Sequence, residues 1–527
     1  MSSNKKIKHD KEHAVWNRRS FLQALGLAGS GSLVAGRLPI YANAPTPLSA
    51  ALSLSESDRV LVIVRLKGGN DGLNTVIPKY DYSTYANLRP SLRINDSDSF
   101  ALSNEFRMPN YMNSLLPIWN DGKMKIVHGV GYPNQSLSHF SSADLWSSAA
   151  DNGNPLQTGV FGRFYEDLYP DYLLNPPVIP PAIQIGSLSN LLFNGDNAGY
   201  AFSVANPDQL QQIAENGTAY DMQNLPNCEY GSQLEFMRSV TNSTYNYASV
   251  INVAYTSASN TTTYNVDDIS KQLAIVSRLI KGNLGTKIYM VTLDGFDTHA
   301  NQPERHQELM SQLTQGIASF YDDLADVAMS QDVLTMTISE FGRRAEENAS
   351  SGTAHGAASA MMLFGEGLNG NGFVGNHPDL NNLDDTGNLQ FTTDYRDVYA
   401  SILENWLCID TNIVNQTLLN NYNRADLGLA CNSASVLNNS YESAFQHKPI
   451  YKENSVFVAI KLETAMEIKI ELFDVLSRNL GVIHHQRHLS GNYQVNLNPK
   501  YKNYAGQYFY RITANGKAYS KAVIFVK

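Results

Sequence analysis

The sequence has few cysteines, more acidic than basic residues and no long uninterrupted run of apolar residues. Its three cysteines, Cys228, Cys408 and Cys431, show no zinc-binding spacing, and an odd number leaves at least one thiol free or intermolecular. The net charge of −10 argues against a nucleic-acid-binding protein, which normally presents a basic face. Because no apolar run reaches the length of a membrane span, we predict a mature chain without a transmembrane segment.

The composition is that of a folded globular protein. Hydrophobic residues make up 43% of the chain and charged residues 17%, which excludes a largely disordered, highly charged protein. The length of 527 residues is enough for one large domain or for two to three ordinary ones. The pattern of apolar residues indicates where these domains lie.

The N-terminal segment has the pattern of an export signal. Lysines precede Arg18-Arg19, and a weakly hydrophobic stretch rich in Gly and Ala follows from Leu22 to Ala35. Paired arginines before such a stretch resemble a twin-arginine signal, although an ordinary secretory signal would also fit. Ala42-Asn43-Ala44 is a candidate cleavage site. We therefore predict that residues 1–44 direct export, through the periplasm to the cell surface or the medium.

Strand patterns alternate with helix patterns over residues 58–430. Near-continuous apolar runs that end at turn residues are typical of buried parallel strands, and the longest are Arg59–Leu66, Lys123–Val130, Ile288–Leu293 and Val333–Ile338. Shorter runs predict strands at Ala182–Ile185 and Met361–Phe364, and amphipathic periodicity predicts helices at Ile269–Ile280, Leu309–Ala328 and Asp394–Leu407. This alternation predicts an α/β fold with a doubly wound, mostly parallel sheet, interrupted by an Asn- and Tyr-rich insert at 188–263.

The C-terminal part has a different period. Residues 431–448 are polar and irregular, which is typical of a linker. Apolar residues then alternate with polar ones in short segments separated by Gly and Asn turns: Val456–Leu462, Glu467–Asp474, Gln494–Leu497, Gln507–Thr513 and Ser520–Val526. Residues 449–527 are therefore predicted to form a separate antiparallel β-sandwich.

Polar residues concentrate in the turns that follow the long strands. The Ile288–Leu293 run leads into a turn with Asp294, Asp297 and His299. Two carboxylates and an imidazole so close together can form half of a divalent-metal site, or can belong to an acidic turn that caps the next helix. The other turns carry Asp71, Ser136, Ser138, His139, Glu340, Arg343 and His355. Because the carboxyl ends of parallel strands meet at one edge of a sheet, we predict that these residues share one site.

Several segments resemble, in the same order, those of the exported bacterial proteins of domain-of-unknown-function family 1501. They are LKGGNDGLNTVIP, VHGVGYPNQSLSHFSSADLW, LDGFDTHANQPERH, SEFGRRAEENASSGTAHG and TTDYRDVYASILENWL. The resemblance covers residues 58–430. That family in turn resembles the alkaline phosphatase and sulfatase superfamily. The resemblance implies metal-dependent hydrolysis or transfer of phosphate or sulfate esters.

The superfamily resemblance also implies roles for particular residues. Carried over strand by strand, it implies a metal site with zinc, calcium or manganese held by Asp71, Asp297, His299, Glu340 and His355. It places the nucleophile on the turn after the second strand, at Ser136 or Ser138, with His139 nearby, and Arg343 would hold the anion.

The chain departs from both patterns. Ala354 stands where family 1501 usually has the Asp of Gly-Thr-Asp-His-Gly, and Asp294 stands where it usually has Gly. Phe341 occupies a position at which the superfamily has a ligating histidine. Either Asp294 replaces the missing ligand, or the site is degenerate.

Structural alternatives remain open for the same residues. Asp71 can cap a helix, Glu340 and Arg343 can form an ion pair, and His355 can be a hydrogen-bonded buried histidine. The sequence therefore supports two functions. One is a metal-dependent hydrolase of a small anionic ester, and the other is a non-catalytic cell-surface protein that keeps the fold to bind a glycan, a polymer or a partner.

The C-terminal module resembles the type A sorting domain that the type IX secretion machinery of Bacteroidetes recognises. The resemblance rests on LFDVLSR and on the closing GQYFYRITANGKAYSKAVIFVK. It implies that the twin-arginine and type IX machineries are partners of the chain during export.

Overall fold

The structure is a computed structural model, and it describes most of the chain between residues 59 and 525. The described residues are 59–169, 172–173, 176–177, 179–186, 190–204, 247–431, 445–452, 455–462, 464–474, 479–497, 506–514 and 517–525. The predicted export signal, Cys228, much of the predicted insert and most of the predicted linker lie outside them.

The chain forms two compact units, residues 1–431 and residues 432–527. In the described part of the first unit, nine strands form the central sheet, in the order β13-β5-β12-β9-β1-β8-β6-β7 with β14 beside β5. The strands of this unit are β1 (Val60–Lys67), β2 (Ile77–Pro78), β3 (Ser99–Ala101), β4 (Phe106–Pro109), β5 (Met124–Gly131), β6 (Ala182–Ile185), β7 (Ala201–Val204), β8 (Ile288–Asp294), β9 (Val333–Ser339), β10 (Gly342–Arg343), β11 (His355–Gly356), β12 (Ser359–Phe364), β13 (Gly372–Val374) and β14 (Thr393–Asp394).

The central sheet is mostly parallel, which confirms the predicted fold class. Strand β1 lies between β8 and β9 and is parallel to both. Strand β12 is antiparallel to its neighbours β5 and β9. Alternate residues of β1 contribute to two different cores: Val62 and Val64 pack on one face, and Leu61 and Ile63 on the other. Because both faces are buried, the strand is apolar from Val60 to Val64, and its charged residues, Arg65 and Lys67, lie near its carboxyl end.

Helices cover both faces of the sheet. They are α1 (Gly72–Thr75), α2 (Tyr82–Leu88), α3 (Leu116–Asn120), α4 (His139–Ser148), α5 (Val160–Leu168), α6 (Asp268–Lys281), α7 (Gln302–Ala325), α8 (Tyr395–Ser401), which continues as a π-helical turn over Ile402–Trp406, and α9 (Thr411–Thr417). Residues 247–257 are also helical. Helices α6 and α7 pack on the first face, and α4, α5 and α8 on the second.

Helix α7 begins seven residues before the predicted start at Leu309, at Gln302. Pro303 lies in its first turn, where the missing N–H of proline costs no helical hydrogen bond. Buried Leu309, Leu313 and Ile317 recur at helical spacing and fix the face that meets the sheet. The early start brings the first turn of α7 to the carboxyl edge of the sheet.

A disulfide joins Cys408 to Cys431 across a sequence separation of 23 residues. Among the described residues, none of the helices is long and apolar enough to span a membrane.

The second unit contains two antiparallel sheets. Their strands are β15 (Phe445–Lys452), β16 (Ser455–Leu462), β17 (Met466–Asp474), β18 (Asn479–His488), β19 (Gly491–Asn496), β20 (Gly506–Ala514) and β21 (Lys517–Phe525). The sheets have the orders β15-β16-β19 and β18-β17-β20-β21. One core takes Val458 and Ile460 from the first sheet and Ile468, Ile470 and Ile512 from the second.

Two strands of this unit differ from the sequence expectation. Strand β15 begins at Phe445, inside the predicted linker, and β18 was not predicted. Both strands are largely polar, so they lack the apolar pattern from which strands were predicted. Their backbone hydrogen bonds come from pairing with β16 and β17.

Candidate metal centre

The turns after three neighbouring parallel strands meet at the carboxyl edge of the central sheet. In the register of the sheet, Lys67 of β1 lies beside Asp294 of β8, and Leu66 of β1 lies beside Ser339 of β9. The turns that follow therefore start at the same level. Helix α4 begins at His139, after the turn that follows β5.

Three imidazoles surround one carboxylate at this edge. The Oδ1 atom of Asp297 lies 3.0 Å from Nε2 of His299 and 3.2 Å from Nε2 of His355. Its Oδ2 atom lies 3.4 Å from Nε2 of His139. Nε2 of His299 and Nε2 of His355 are 2.9 Å apart. We call these four residues the His/Asp cluster; three of them, His139, Asp297 and His355, each place one ligand atom within 4.8 Å of the other two.

Two of the imidazoles are oriented by acceptors behind them. Nδ1 of His139 donates to Oε1 of Glu340 over 2.8 Å, and Nδ1 of His355 donates to the carbonyl oxygen of Leu137 over 2.7 Å. Because Nδ1 of each ring is used by these acceptors, Nε2 is the nitrogen that faces Asp297 and that a cation would bind. This arrangement is the one that metal-ligating histidines use, with a carboxylate or a carbonyl as the outer partner.

Glu340 and Phe341 form the wall behind the imidazoles. Glu340 is only 4% exposed, and its Oε1 also accepts a hydrogen bond from the backbone N–H of Gly68 over 3.0 Å. The Phe341 ring lies 4.3 Å from the His355 ring and 5.0 Å from the His139 ring, between centroids. Glu340 was predicted as a metal ligand, and the structure places it against Nδ1 of His139.

Arg343 lies under the cluster with a fully buried side chain. It donates to the carbonyl oxygens of Gly68, Gly69, Phe296 and Thr353 and to Oδ1 of Asp297. Burial tends to raise the pKa of the Asp297 carboxyl, but the hydrogen bond and charge of Arg343 outweigh it and keep this pKa below its ordinary value. Because the guanidinium is committed to these acceptors, Arg343 positions Asp297 instead of facing an anion in the cleft.

Gly68 allows the turn after β1 to approach Asp297. Its φ of +119° lies in a region that side chains rarely adopt, and a Cβ there would lie 2.3 Å from the backbone nitrogen of Asp297. Only glycine fits this contact without moving Asp297.

Asp71 lies in a buried ion pair and not among the atoms that face Asp297. Its Oδ1 caps α1 by accepting from the backbone N–H groups of Leu73 and Asn74. Its Oδ2 accepts from Nη1 of Arg89 over 2.5 Å and from Nε2 of Gln302. These donors use the lone pairs that a metal would need, so the capping alternative describes the observed contacts of Asp71.

Asp294 and the two serines lie around the cluster. The Asp294 carboxylate is 64% exposed and lies 2.6 Å from Nζ of Lys67. Ser138 is the exposed N-cap residue of α4, and its hydroxyl makes no capping hydrogen bond. Both neighbours of Ser138 in the chain, Leu137 and His139, contact members of the cluster or their partners. Ser136 is half-buried on the same turn.

Two buried residues beside the cluster, Arg89 and Gln302, were not predicted from the sequence. Gln302 is completely buried; besides donating to Asp71, its Oε1 accepts from the hydroxyls of Thr298 and Thr353. It therefore joins the turn after β8 to the loop before His355. Arg89 follows α2 and has no partner of opposite charge at helical spacing, so nothing local marks either residue as part of the site.

The donor set of the His/Asp cluster suits a divalent cation of borderline hardness. Zinc and similar ions combine imidazole nitrogens with a carboxylate oxygen, whereas calcium takes six to eight oxygen ligands. The residues present therefore fit zinc or manganese better than calcium.

Solved structures of enzymes and related proteins show similarity to this chain. A protein of the alkaline phosphatase superfamily from Vibrio parahaemolyticus is 8% identical, with 79% of this chain and 78% of that chain covered and a TM-score of 0.30. The PsFucS1 sulfatase from Pseudoalteromonas sp. is 10% identical, with 86% and 88% covered and a TM-score of 0.31. The lipoteichoic acid synthase LtaP from Listeria monocytogenes is 9% identical, with 89% and 91% covered and a TM-score of 0.30.

In sequence, no curated protein matches the chain. A family model does match part of it. Residues 240–425, which include Asp297, His299, Glu340, Arg343 and His355, match the model of a family described as a protein of unknown function, DUF1501.

Proposed function

We propose that the first unit is a metal-dependent hydrolase of small anionic esters of the phosphate or sulfate class. The observation that carries the proposal is the convergence of three imidazole nitrogens on the Asp297 carboxylate, two of them oriented from behind. The cluster lies at the carboxyl edge of a parallel sheet, and this edge is where α/β proteins bind their ligands.

His139, Asp297 and His355 would hold the cation, and His299 is close enough to join them. A cation bound there supplies Lewis acidity that polarises an ester oxygen and stabilises developing negative charge. Glu340 keeps Nε2 of His139 turned toward Asp297, and Arg343 keeps Asp297 ionised.

Ser138 is the proposed nucleophile. Its hydroxyl does not cap α4, and it lies between Leu137, whose carbonyl orients His355, and His139. The first N–H groups of a helix favour negative charge nearby, so the start of α4 would attract the ester anion. Attack by the hydroxyl on phosphorus or sulfur would release the alcohol, and water would then release the inorganic anion.

The test compares Asp297→Ala with Asp294→Ala in the full-length chain. The wild-type protein, purified without a histidine tag, should retain about one more zinc or manganese ion per chain than Asp297→Ala does. Asp297→Ala should weaken metal binding more than about 100-fold, because it removes the ligand that the cluster surrounds. Asp294→Ala is the matched control: it removes an exposed carboxylate that pairs with Lys67, and it should leave metal binding unchanged.

Activity is measured in the same proteins on an aryl phosphate and an aryl sulfate. Ser138→Ala should lower turnover at least about 1,000-fold while metal binding is retained. Equal metal content in the wild-type protein and Asp297→Ala would refute the proposal. If the wild-type protein and Ser138→Ala bind metal equally and neither hydrolyses the two esters, the alternative function, a non-catalytic binding protein, is favoured instead.

We also propose that the chain is exported by the twin-arginine and type IX machineries. The Arg18-Arg19 pair and the resemblance of the second unit to a sorting domain support this, as does the Cys408–Cys431 disulfide, because disulfides persist mainly outside the cytoplasm. Removal of residues 432–527 should leave the protein in the periplasm. Arrival of the truncated chain at the cell surface would contradict the sorting role.

A further inference from the structure

Strand β18 of the second unit carries three histidines, His484, His485 and His488. It forms one edge of the β18-β17-β20-β21 sheet. Because side chains alternate along a strand, His484 and His488 lie on one face and His485 on the other. His484 is paired with Ile470 in the ladder and His488 with Met466, and both of these partners are buried. The two histidines therefore lie on the core side, at the margin of the sheet.

The two imidazoles face each other at short range. Nε2 of His484 lies 2.7 Å from Nε2 of His488, and the ring centroids are 5.0 Å apart with planes inclined by 28°. Both side chains are half-buried. The opposite sheet supports them, because the ring of Tyr493 on β19 lies 4.3 Å from the His488 ring. The hydroxyl of Tyr493 donates to the carbonyl oxygen of Leu489, which holds that ring in place.

We propose that His484 and His488 form a second metal site, which binds a borderline transition-metal ion such as Cu²⁺, Ni²⁺ or Zn²⁺. Imidazole is the protein ligand that these ions share. A neutral imidazole has one donor and one acceptor nitrogen, so two nitrogens this close either share one proton or direct both lone pairs to a cation. Two protein ligands leave further coordination positions open to water or to an added ligand.

The geometry favours chelation because the pair is already assembled. Core packing beneath the strand and Tyr493 beside it limit the rotamers of both rings, so little side-chain entropy remains to be lost on binding. His485 provides an internal contrast: it points away from the pair, and its Nε2 lies 3.0 Å from Oε1 of Glu467. The site belongs to the second unit alone, and the proposal does not depend on the function proposed for the first.

The test is a Cu²⁺ titration of the full-length chain, purified without a histidine tag and carrying His139→Ala, His299→Ala and His355→Ala, which remove the three imidazoles of the first centre. His484→Phe and His488→Phe each keep an aromatic ring in place and remove the ligand nitrogen. Each should weaken Cu²⁺ binding by at least about tenfold, whereas the matched control His485→Phe should leave it unchanged. Far-UV circular dichroism establishes that the variants keep their β-structure.

A second readout uses the unmodified strand. The electron paramagnetic resonance spectrum of bound Cu²⁺ should show two coupled nitrogens, and only one in His488→Phe. Equal Cu²⁺ affinities in His488→Phe and its parent, or a spectrum without nitrogen coupling, would overturn the proposal and leave the pair as a simple N–H···N hydrogen bond. If the His484/His488 site binds Cu²⁺ but the His/Asp cluster of the wild-type protein binds no metal, only the function proposed for the first unit is refuted.

Discussion

Replacing Arg343 by Met should destabilise the first unit by about 4 kcal/mol. The buried guanidinium donates to four backbone carbonyls and to the Asp297 carboxylate. One of these carbonyls, that of Phe296, keeps another donor, the backbone N–H of Thr298. The carbonyl oxygens of Gly68, Gly69 and Thr353 and the Asp297 carboxylate lose a charged donor. Removing one partner of a buried charged group in this way lowers the free energy of unfolding by about 3–5 kcal/mol. Met preserves much of the side-chain volume, so the loss measures hydrogen bonding more than packing.

Tryptophan fluorescence during urea denaturation measures this loss selectively. Residues 432–527 contain no tryptophan, so the signal reports the first unit even if the two units unfold separately. The matched control is Arg305→Met, which removes a 43% exposed arginine paired with Glu308 and should change stability by less than about 0.5 kcal/mol.

Arg343→Lys should recover only part of the loss, because an ammonium group cannot reproduce the planar fork that reaches several carbonyls at once. Arg343→Met should also weaken metal binding by about 10–100-fold, because the substitution frees the Asp297 carboxylate to rotate. A cost below about 1 kcal/mol would show that water replaces the guanidinium and that Arg343 is not what holds the three turns together.

Two further predictions concern stability away from the cluster. Burial tends to raise the pKa of Asp323, but hydrogen bonds from Asn260, Lys281 and Ser277 outweigh it and hold this pKa below its ordinary value of about 4. The ionised Asp323 therefore contributes fully to the free energy of unfolding above about pH 4, and this contribution is lost as the pH falls toward the lowered folded-state pKa. Asp323→Asn should lower the free energy of unfolding by about 3–5 kcal/mol at pH 7 and by clearly less at pH 3. An equal loss at both pH values would contradict the role of the charge. Replacing Cys408 and Cys431 together by Ser opens a loop of 23 residues and should lower the free energy of unfolding by about 3 kcal/mol. The measurement compares the double variant with wild type, with and without reductant. If reductant does not change the stability of the wild-type protein, the disulfide does not form.

The sheet of the first unit could be predicted because its strands are buried on both faces. Three strands, Val60–Lys67, Ile288–Asp294 and Val333–Ser339, are apolar along most of their length, and such runs are typical of strands that are covered on both faces. The antiparallel direction of β12 could not be predicted, because direction depends on how the connections pack and leaves no mark on a short apolar run.

The sequence by itself determined that reactive side chains follow the strands of a mostly parallel sheet, since strand ends and turn residues are local features. Only the tertiary structure decided which of these side chains meet. The Asp71 carboxylate accepts hydrogen bonds from Arg89 and Gln302, and the Arg343 guanidinium donates to backbone carbonyls. His139 lies beside Asp297 and His355, and its Nδ1 is hydrogen-bonded to Glu340. These pairings join positions up to 275 residues apart over distances of a few ångströms. The free energy of each pairing depends on burial and on competing partners that no spacing in the chain encodes.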